Sequence, residues 1–567
     1  MNASRLAVLL ASAALLGACS SDALGPKTLA AEDMTTSPYG LFLAGQGALN
    51  DGRGAEAAAY FEQARIDGDD GEGMVAERAF TAALLAGDIT RAAALAPKGD
   101  GASEPGKRLG DLVQAVEAIA TDKPKLALPL LAADATPFPH KSMAALLSPW
   151  VAAMAGDVDG SLIRPQVRGD KVVDYFGLLG QAYLYERAKR FDEAETDFKV
   201  LTGSETPGDM VVLAYGGFLE RRGRKVDALA LYAKGLAAEP RNSALQAARA
   251  RASSGKDAPP PMPGLKQGAA QSIMAPAATM LAAKQDQLGL AYLRLALRLD
   301  PNLNGAWLMV GDLMQGAGDS DGARLAYGHP RPGAPEYAAA RAKLAWSYQA
   351  AKDPETALKL AREAAATGDA DAKVTLADLL RVNEKFAESA EVLSTVIGAN
   401  PDWRLLYARG IAYDRSGRWA DGERDLQAAL KLKPDDSELL NYLGYSWIDR
   451  GEHLAEALAM VQKAVGENPR SGAMVDSLGW AYYRLGDYKK AVETLENAIE
   501  LEAGDPDINN HLGDAYWRVG RRDEAEFQWR RVLTLEPDPK MKAEVEQKLT
   551  SGLGANGPVP PARIAGQ

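Results

Sequence analysis

The chain has 567 residues, more than one hydrophobic core spans, so it is either several domains or an array of repeats that pack only on their neighbours. Apolar residues at 47% and charged residues at 25% suit a folded chain, and alanine dominates the apolar share, which favours close-packed helices over strands. A formal net charge of −12 argues against a nucleic-acid partner and against polybasic attachment to anionic lipid.

Residues 1–18 read as an export signal. One basic side chain, Arg5, precedes an apolar run, Leu6 to Leu16, that is shorter than the roughly 20 residues a spanning helix needs. Cys19 is the only cysteine, so no internal disulfide can form. Leu16-Gly17-Ala18-Cys19 resembles a bacterial lipobox. That resemblance implies cleavage before Cys19, lipidation of its thiol and an amide-linked chain such as palmitate, each buried methylene adding about 0.8 kcal/mol of membrane affinity. Ser20 and Ser21 follow without an Asp, which by the same resemblance implies an outer-membrane, lipid-anchored protein facing the periplasm. Residues 19–37 read as a polar tether.

Residues 38–251 form an N-terminal array of degenerate repeats. Gly45, Gly52, Ala57 and Phe61 make one unit; Leu179, Gly180, Tyr183, Ala194 and Phe198 a second; Gly216, Gly223, Ala228, Tyr232 and Pro240 a third. Between about 75 and 170 helical periodicity persists while the signature fades. Residues 252–267 read as an exposed linker between two arrays, because Pro259-Pro260-Pro261-Met262-Pro263 cannot be helical.

Residues 268–540 form the C-terminal array. Weak units centre on Gly311, Ala345 and Ala377, and sharp ones follow. Leu443-Gly444-x-x-Trp447-x-x-x-Gly451, Leu478-Gly479-x-x-Tyr482-x-x-x-Gly486 and Leu512-Gly513-x-x-Tyr516-x-x-x-Gly520 lie 35 and 34 residues apart. The first glycine admits a second helix closely, the aromatic fills the gap between hairpins, and the later glycine makes the turn. These units resemble the tetratricopeptide repeat, which implies an all-α solenoid, a right-handed superhelix of helical hairpins. Residues 541–567 read as a capping helix and tail.

No catalytic or metal-binding constellation emerges, and no cofactor or small-molecule substrate is expected. His140, His329, His453 and His511 have no ligand spacing, with His511 read as a groove or surface residue. Asp67, Asp69, Asp70 and Glu72 lack EF-hand order, and Ser253-x-x-Lys256 has no scaffold to hold it.

Binding is expected on the first helices, whose side chains off the packing face line a concave groove for proteins or peptides. The counted positions are Tyr407 and Arg415 with Ile411 and Asp414; Asn441 and Tyr445 with Asp449; Asp476, Trp480, Tyr483 and Arg484; Asn510, Asp514, Trp517 and Arg518. The lysine/asparagine pair that clamps a terminal carboxylate is absent, since Asn441/Tyr445, Asp476/Trp480 and Asn510/Asp514 hold those places. The whole layout resembles large tetratricopeptide lipoproteins of the Gram-negative outer membrane. That resemblance implies a non-enzymatic adaptor for a carboxyl-terminal processing protease and its cell-wall hydrolase substrates. A scaffold for polysaccharide, peptidoglycan, pilus or outer-membrane protein assembly is the alternative.

Overall fold

The computed structural model describes residues 37–67, 73–99, 101–132, 139–203, 207–240, 242–255, 257–398 and 401–554. The lipobox, the tether up to residue 36, Asp69, Asp70, Glu72, Lys256 and the tail from 555 lie outside them. The described residues hold 30 α-helices and no strand, which makes the chain the all-α helical-hairpin solenoid expected.

One spacing generates most hairpins. A small residue in the first helix lies seven positions before a turn residue of positive φ, as in Gly410/Gly417, Gly444/Gly451, Gly479/Gly486 and Gly513/Gly520. The second helix crosses directly over the small residue. A Cβ on Gly479 would meet Leu495 Cγ at 2.5 Å, and one on Gly513 would meet Trp529 Nε1 at 2.5 Å.

The same spacing runs through hairpins whose signature is faint. Ala115/Asp122, Ala182/Lys189, Ala277/Lys284, Ala345/Lys352 and Ala377/Glu384 replace both glycines, yet the second member keeps positive φ (58° to 63°). The unit read from Leu179-Gly180 is therefore shifted by two residues. Ala182 is the close-packed position, while Gly180 faces Trp150 of helix Lys141–Met154, where a Cβ would lie 3.3 Å from Nε1.

The chain divides into two compact units at Thr375/Leu376. This differs from the boundary drawn at residues 252–267. In the first unit the chain returns on itself, with helices Leu265–Ala282 and Asp286–Leu299 packed on Met74–Ala86, Glu104–Ala120, Lys141–Met154 and Lys171–Arg187. Arg298 forks onto Glu117 (2.8 and 3.0 Å), Arg294 Nε donates to the Leu85 carbonyl (3.1 Å), and buried His140 Nδ1 meets the Tyr292 hydroxyl at 2.7 Å. Trp150 fills the gap left by Gly268, 2.2 Å from where a Cβ would stand. The proline-rich stretch is non-helical as expected, but it does not separate two arrays, because helices on both sides of it share one core.

In the second unit the first helices are Trp403–Arg415, Ser437–Arg450, Gly472–Arg484 and Pro506–Arg518, with second helices Trp419–Leu432, Leu454–Glu467, Tyr488–Leu501 and Arg522–Thr534. Asp402, Asp436, Ser471 and Asp505 cap the first helices by accepting backbone N–H bonds at their N-termini. A final helix, Pro539–Ser551, stands in the register of a fifth first helix, its Lys548 falling 34 residues after Asp514.

Candidate peptide-binding face of the first helices

Helical spacing lays the side chains off the packing face in three rows, one residue per first helix. The first row is Tyr407, Asn441, Asp476 and Asn510; the second Ile411, Tyr445, Trp480, Asp514 and, on the last helix, Lys548; the third Arg415, Asp449, Arg484 and Arg518. By this register all fifteen positions expected in the groove fall on this face or beside it, but they do not share one environment.

Towards the C-terminal end the face is consumed by bonds between neighbouring first helices. Asp476, Trp480, Tyr483, Asn510 and Asp514 are buried. His511, expected in a groove or at the surface, is buried too, with Nδ1 3.0 Å from both Asp476 oxygens. Burial opposes its charge, but Asp476, with Asp507 and Asp514 beyond, outweighs that and holds its pKa up at about 9. The Trp480 ring stacks on His511 (4.1 Å between centroids) and on Tyr483 (4.6 Å). Lys548, 7% exposed, donates to Asn510 Oδ1 and Asp514 Oδ2, both at 2.9 Å, and Trp529 Nε1 donates to Asp514 Oδ1 at 3.0 Å. Arg518 Nε donates to the Tyr483 hydroxyl (3.1 Å), and Trp517 is covered by Gly552 and by the Arg522 guanidinium. Nothing in the spacing announces the pairs that Asp476, Asn510, Asp514 and Tyr483 make with His511, Lys548 and Arg518, because each joins residues 34 to 38 positions apart.

The middle of the face is less committed. Arg415 is exposed over the Phe386 ring (4.8 Å), and half-buried Tyr407 meets Tyr442 edge-on (5.9 Å). Asn441, Tyr445 and Arg484 are half-buried, and burial together with Asp476, Asp449 and Asp507 pushes the Tyr445 hydroxyl far above its ordinary pKa. Arg484 Nη1 donates to the Asp449 carbonyl at 2.7 Å. Three buried polar atoms here find no hydrogen-bond partner among the described residues: Asn441 Oδ1, Trp480 Nε1 and Arg484 Nε. Unpaired buried groups cost about 1–3 kcal/mol each, so three of them on one face is a local cost that the fold itself does not offset.

The first unit has the same face, which the sequence reading did not reach, and part of it is occupied. By the register of Gly216 and Ala182, Gly217 and Tyr183 stand in the second row and Arg221 and Arg187 in the third. Arg221 Nη1 donates to the Pro260 carbonyl at 2.8 Å, and Arg187 Nη2 donates to the Pro263 carbonyl at 2.7 Å. A Cβ on Gly217 would come within 3.0 Å of Pro260 Cγ. Arg221 is steadied by a two-pronged bond to Glu186 (2.7 and 2.8 Å). The proline-rich stretch therefore lies along the first-helix face.

The fold and this face define a helical-repeat scaffold. Family models agree for the second unit: one described as TPR repeat matches residues 479–520, and two described as tetratricopeptide repeat match 374–421 with 407–472, and 506–539. A TPR repeat-containing protein of Pseudomonas aeruginosa is 31% identical over 139 residues, 24% of this chain and 23% of that protein. The human Superkiller complex protein 3 is 30% identical over 157 residues, 27% of this chain and 10% of that protein. The chain thus spans under a quarter of the length of these relatives. A crystal structure of a tetratricopeptide repeat protein from Parabacteroides merdae superposes with a TM-score of 0.39 at 14% identity, covering 44% of this chain and 98% of that one. Residues 374–472 and 479–539 thus match tetratricopeptide repeats, units that in general serve protein–protein interaction.

Proposed function

We propose that the chain is a lipid-anchored scaffold on the periplasmic side of the outer membrane, holding a partner protein on the first-helix face of its second unit. The observation that carries the binding role is the trio of unpaired buried atoms, Asn441 Oδ1, Trp480 Nε1 and Arg484 Nε, in the three rows that also hold exposed Arg415. The anchor rests on the lipobox ending at Cys19. The partner this reading names is a carboxyl-terminal processing protease with its cell-wall hydrolase substrates, supported by the resemblance of the run from about 400 to 540 to such adaptors.

Two experiments test it. Tyr445 is replaced by a photo-crosslinking residue and the protein is purified from detergent-solubilised membranes after irradiation. The reading expects a crosslink to a PDZ-containing protease; no such crosslink, with normal hydrolase levels in a deletion strain, overturns the protease role. Metabolic labelling with palmitate is expected to mark the wild-type chain and not Cys19→Ala, and an unlabelled wild-type chain overturns the anchor.

A further inference from the structure

We infer that the first-helix face of the second unit takes a proline-rich, extended segment of its partner, read through main-chain carbonyls spaced three residues apart. This rests on the scaffold reading above and names the chemistry of its ligand.

The first unit supplies the precedent. There, Arg187 and Arg221, on successive first helices, hold the carbonyls of Pro263 and Pro260, three residues apart in a stretch with four prolines among residues 258–263. The spacing has a physical basis. Proline fixes φ near the polyproline II value, and that helix repeats every three residues with a rise of about 3.1 Å, so equivalent carbonyls stand about 9 Å apart. Packed helices lie about 8–10 Å apart. A polyproline II segment running across the first helices therefore presents one carbonyl to each.

The second unit repeats the arginine and leaves two N–H groups of this face unpaired. Arg484 stands where Arg221 stands, and Trp480 where Gly217 stands. Arg221 spends Nε and Nη2 on Glu186 and Nη1 on the segment. Arg484 Nη1 holds the Asp449 carbonyl at 2.7 Å with the Asp449 carboxylate 3.7 Å away, while its Nε is unpaired, and the Nε1 of Trp480, a residue 7% exposed, is unpaired as well. Two buried donors without acceptors call for carbonyl-rich backbone. Proline supplies a carbonyl without an N–H, so seating such a segment satisfies donors without burying new ones. Where the first unit has Gly217 against Pro260, the second offers the half-buried Tyr445 ring, the kind of surface on which proline rings dock, with Trp480, stacked on His511 and Tyr483, contributing its N–H alone. Asn441 Oδ1 remains to accept an N–H from a non-proline residue of the segment.

The test uses the full chain and a fluorescein-labelled peptide with the sequence of residues 258–264, Ala-Pro-Pro-Pro-Met-Pro-Gly, followed by fluorescence anisotropy. Saturable binding is expected, weakened at least tenfold by Trp480→Phe, which keeps a ring and deletes the N–H, and by Arg484→Ala, but unchanged by Arg221→Ala. A control peptide with the prolines changed to glycine is expected to bind at least tenfold more weakly. Circular dichroism confirms folding, and Trp480→Phe carries the test if Arg484→Ala unfolds. Absence of binding, equal binding of the glycine peptide, or a loss confined to Arg221→Ala overturns the inference. A protein crosslinked through Tyr445 without peptide binding would leave the scaffold role standing and remove only this ligand class.

Discussion

Replacing His511 by Gln should flatten the pH dependence of the second unit between pH 6.5 and 9. In the folded chain the His511 imidazolium is held by Asp476 at 3.0 Å, so its pKa rises from the ordinary 6.5 to about 9. A raised base stabilises the fold fully below the unfolded pKa, and the gain is lost as pH climbs through the folded one. That rise corresponds to roughly 3 kcal/mol, present at pH 6 and gone above pH 9. The groups facing the ring, Asp476, Asp507, Asp514 and the stacked Trp480, all belong to the second unit, so the effect should be local. Hydrogen–deuterium exchange, corrected for intrinsic rates, should show the amides of 472–518 losing protection from pH 6.5 to 9 in the wild type. His511→Gln, which keeps a hydrogen bond but no charge, should be less protected at pH 6 and pH-independent across that window. A variant that keeps the wild-type pH slope would refute the assignment of the charge to His511.

Three further outcomes are expected. His140 behaves oppositely: burial, with Arg108 adding, drops its pKa to about 4, so the first unit should lose stability as pH falls from 6.5 to 4, seen as a falling urea midpoint that His140→Gln abolishes. Gly513→Ala should cost about 2–3 kcal/mol in chemical denaturation, since its methyl would press on Trp529, which is bonded to Asp514. Lys352→Gly should stabilise the first unit by about 1 kcal/mol in the same assay, because Lys352 holds φ at 63° where only glycine is free of strain.

The hairpins that could be read without a structure are those in which glycine fills both special positions, as in Gly444/Gly451 and Gly479/Gly486. Where Ala115, Ala182 or Ala277 takes the packing site and Asp122, Lys189 or Lys284 the turn, the geometry is conserved but the letters are not, because alanine is small enough and the other tertiary contacts absorb the turn's strain. A search for any small residue seven places before any turn would have placed Ala182 correctly and exposed the two-residue slip at Gly180. The rows of the binding face followed from helical spacing, but their state did not. Whether Asp476 is open to a ligand depends on His511, and whether Asp514 is open depends on Lys548, partners 35 and 34 residues away. The proline-rich stretch was legible as non-helical, while its bonds to Arg187 and Arg221 were not.

The return of helices Leu265–Ala282 and Asp286–Leu299 onto helices begun as early as Met74 has a consequence for how the protein is made. A linear array settles hairpin by hairpin as it leaves the ribosome or a translocation channel. The first unit cannot, because Trp150 finds Gly268, and Glu117 finds Arg298, only after another hundred residues or more have emerged. Its early helices wait with apolar surface uncovered until the closing pair arrives, and no hairpin within the loop can be deleted or duplicated without moving that pair out of reach. Growth and loss of 34-residue units is therefore open to the second unit and closed to the first.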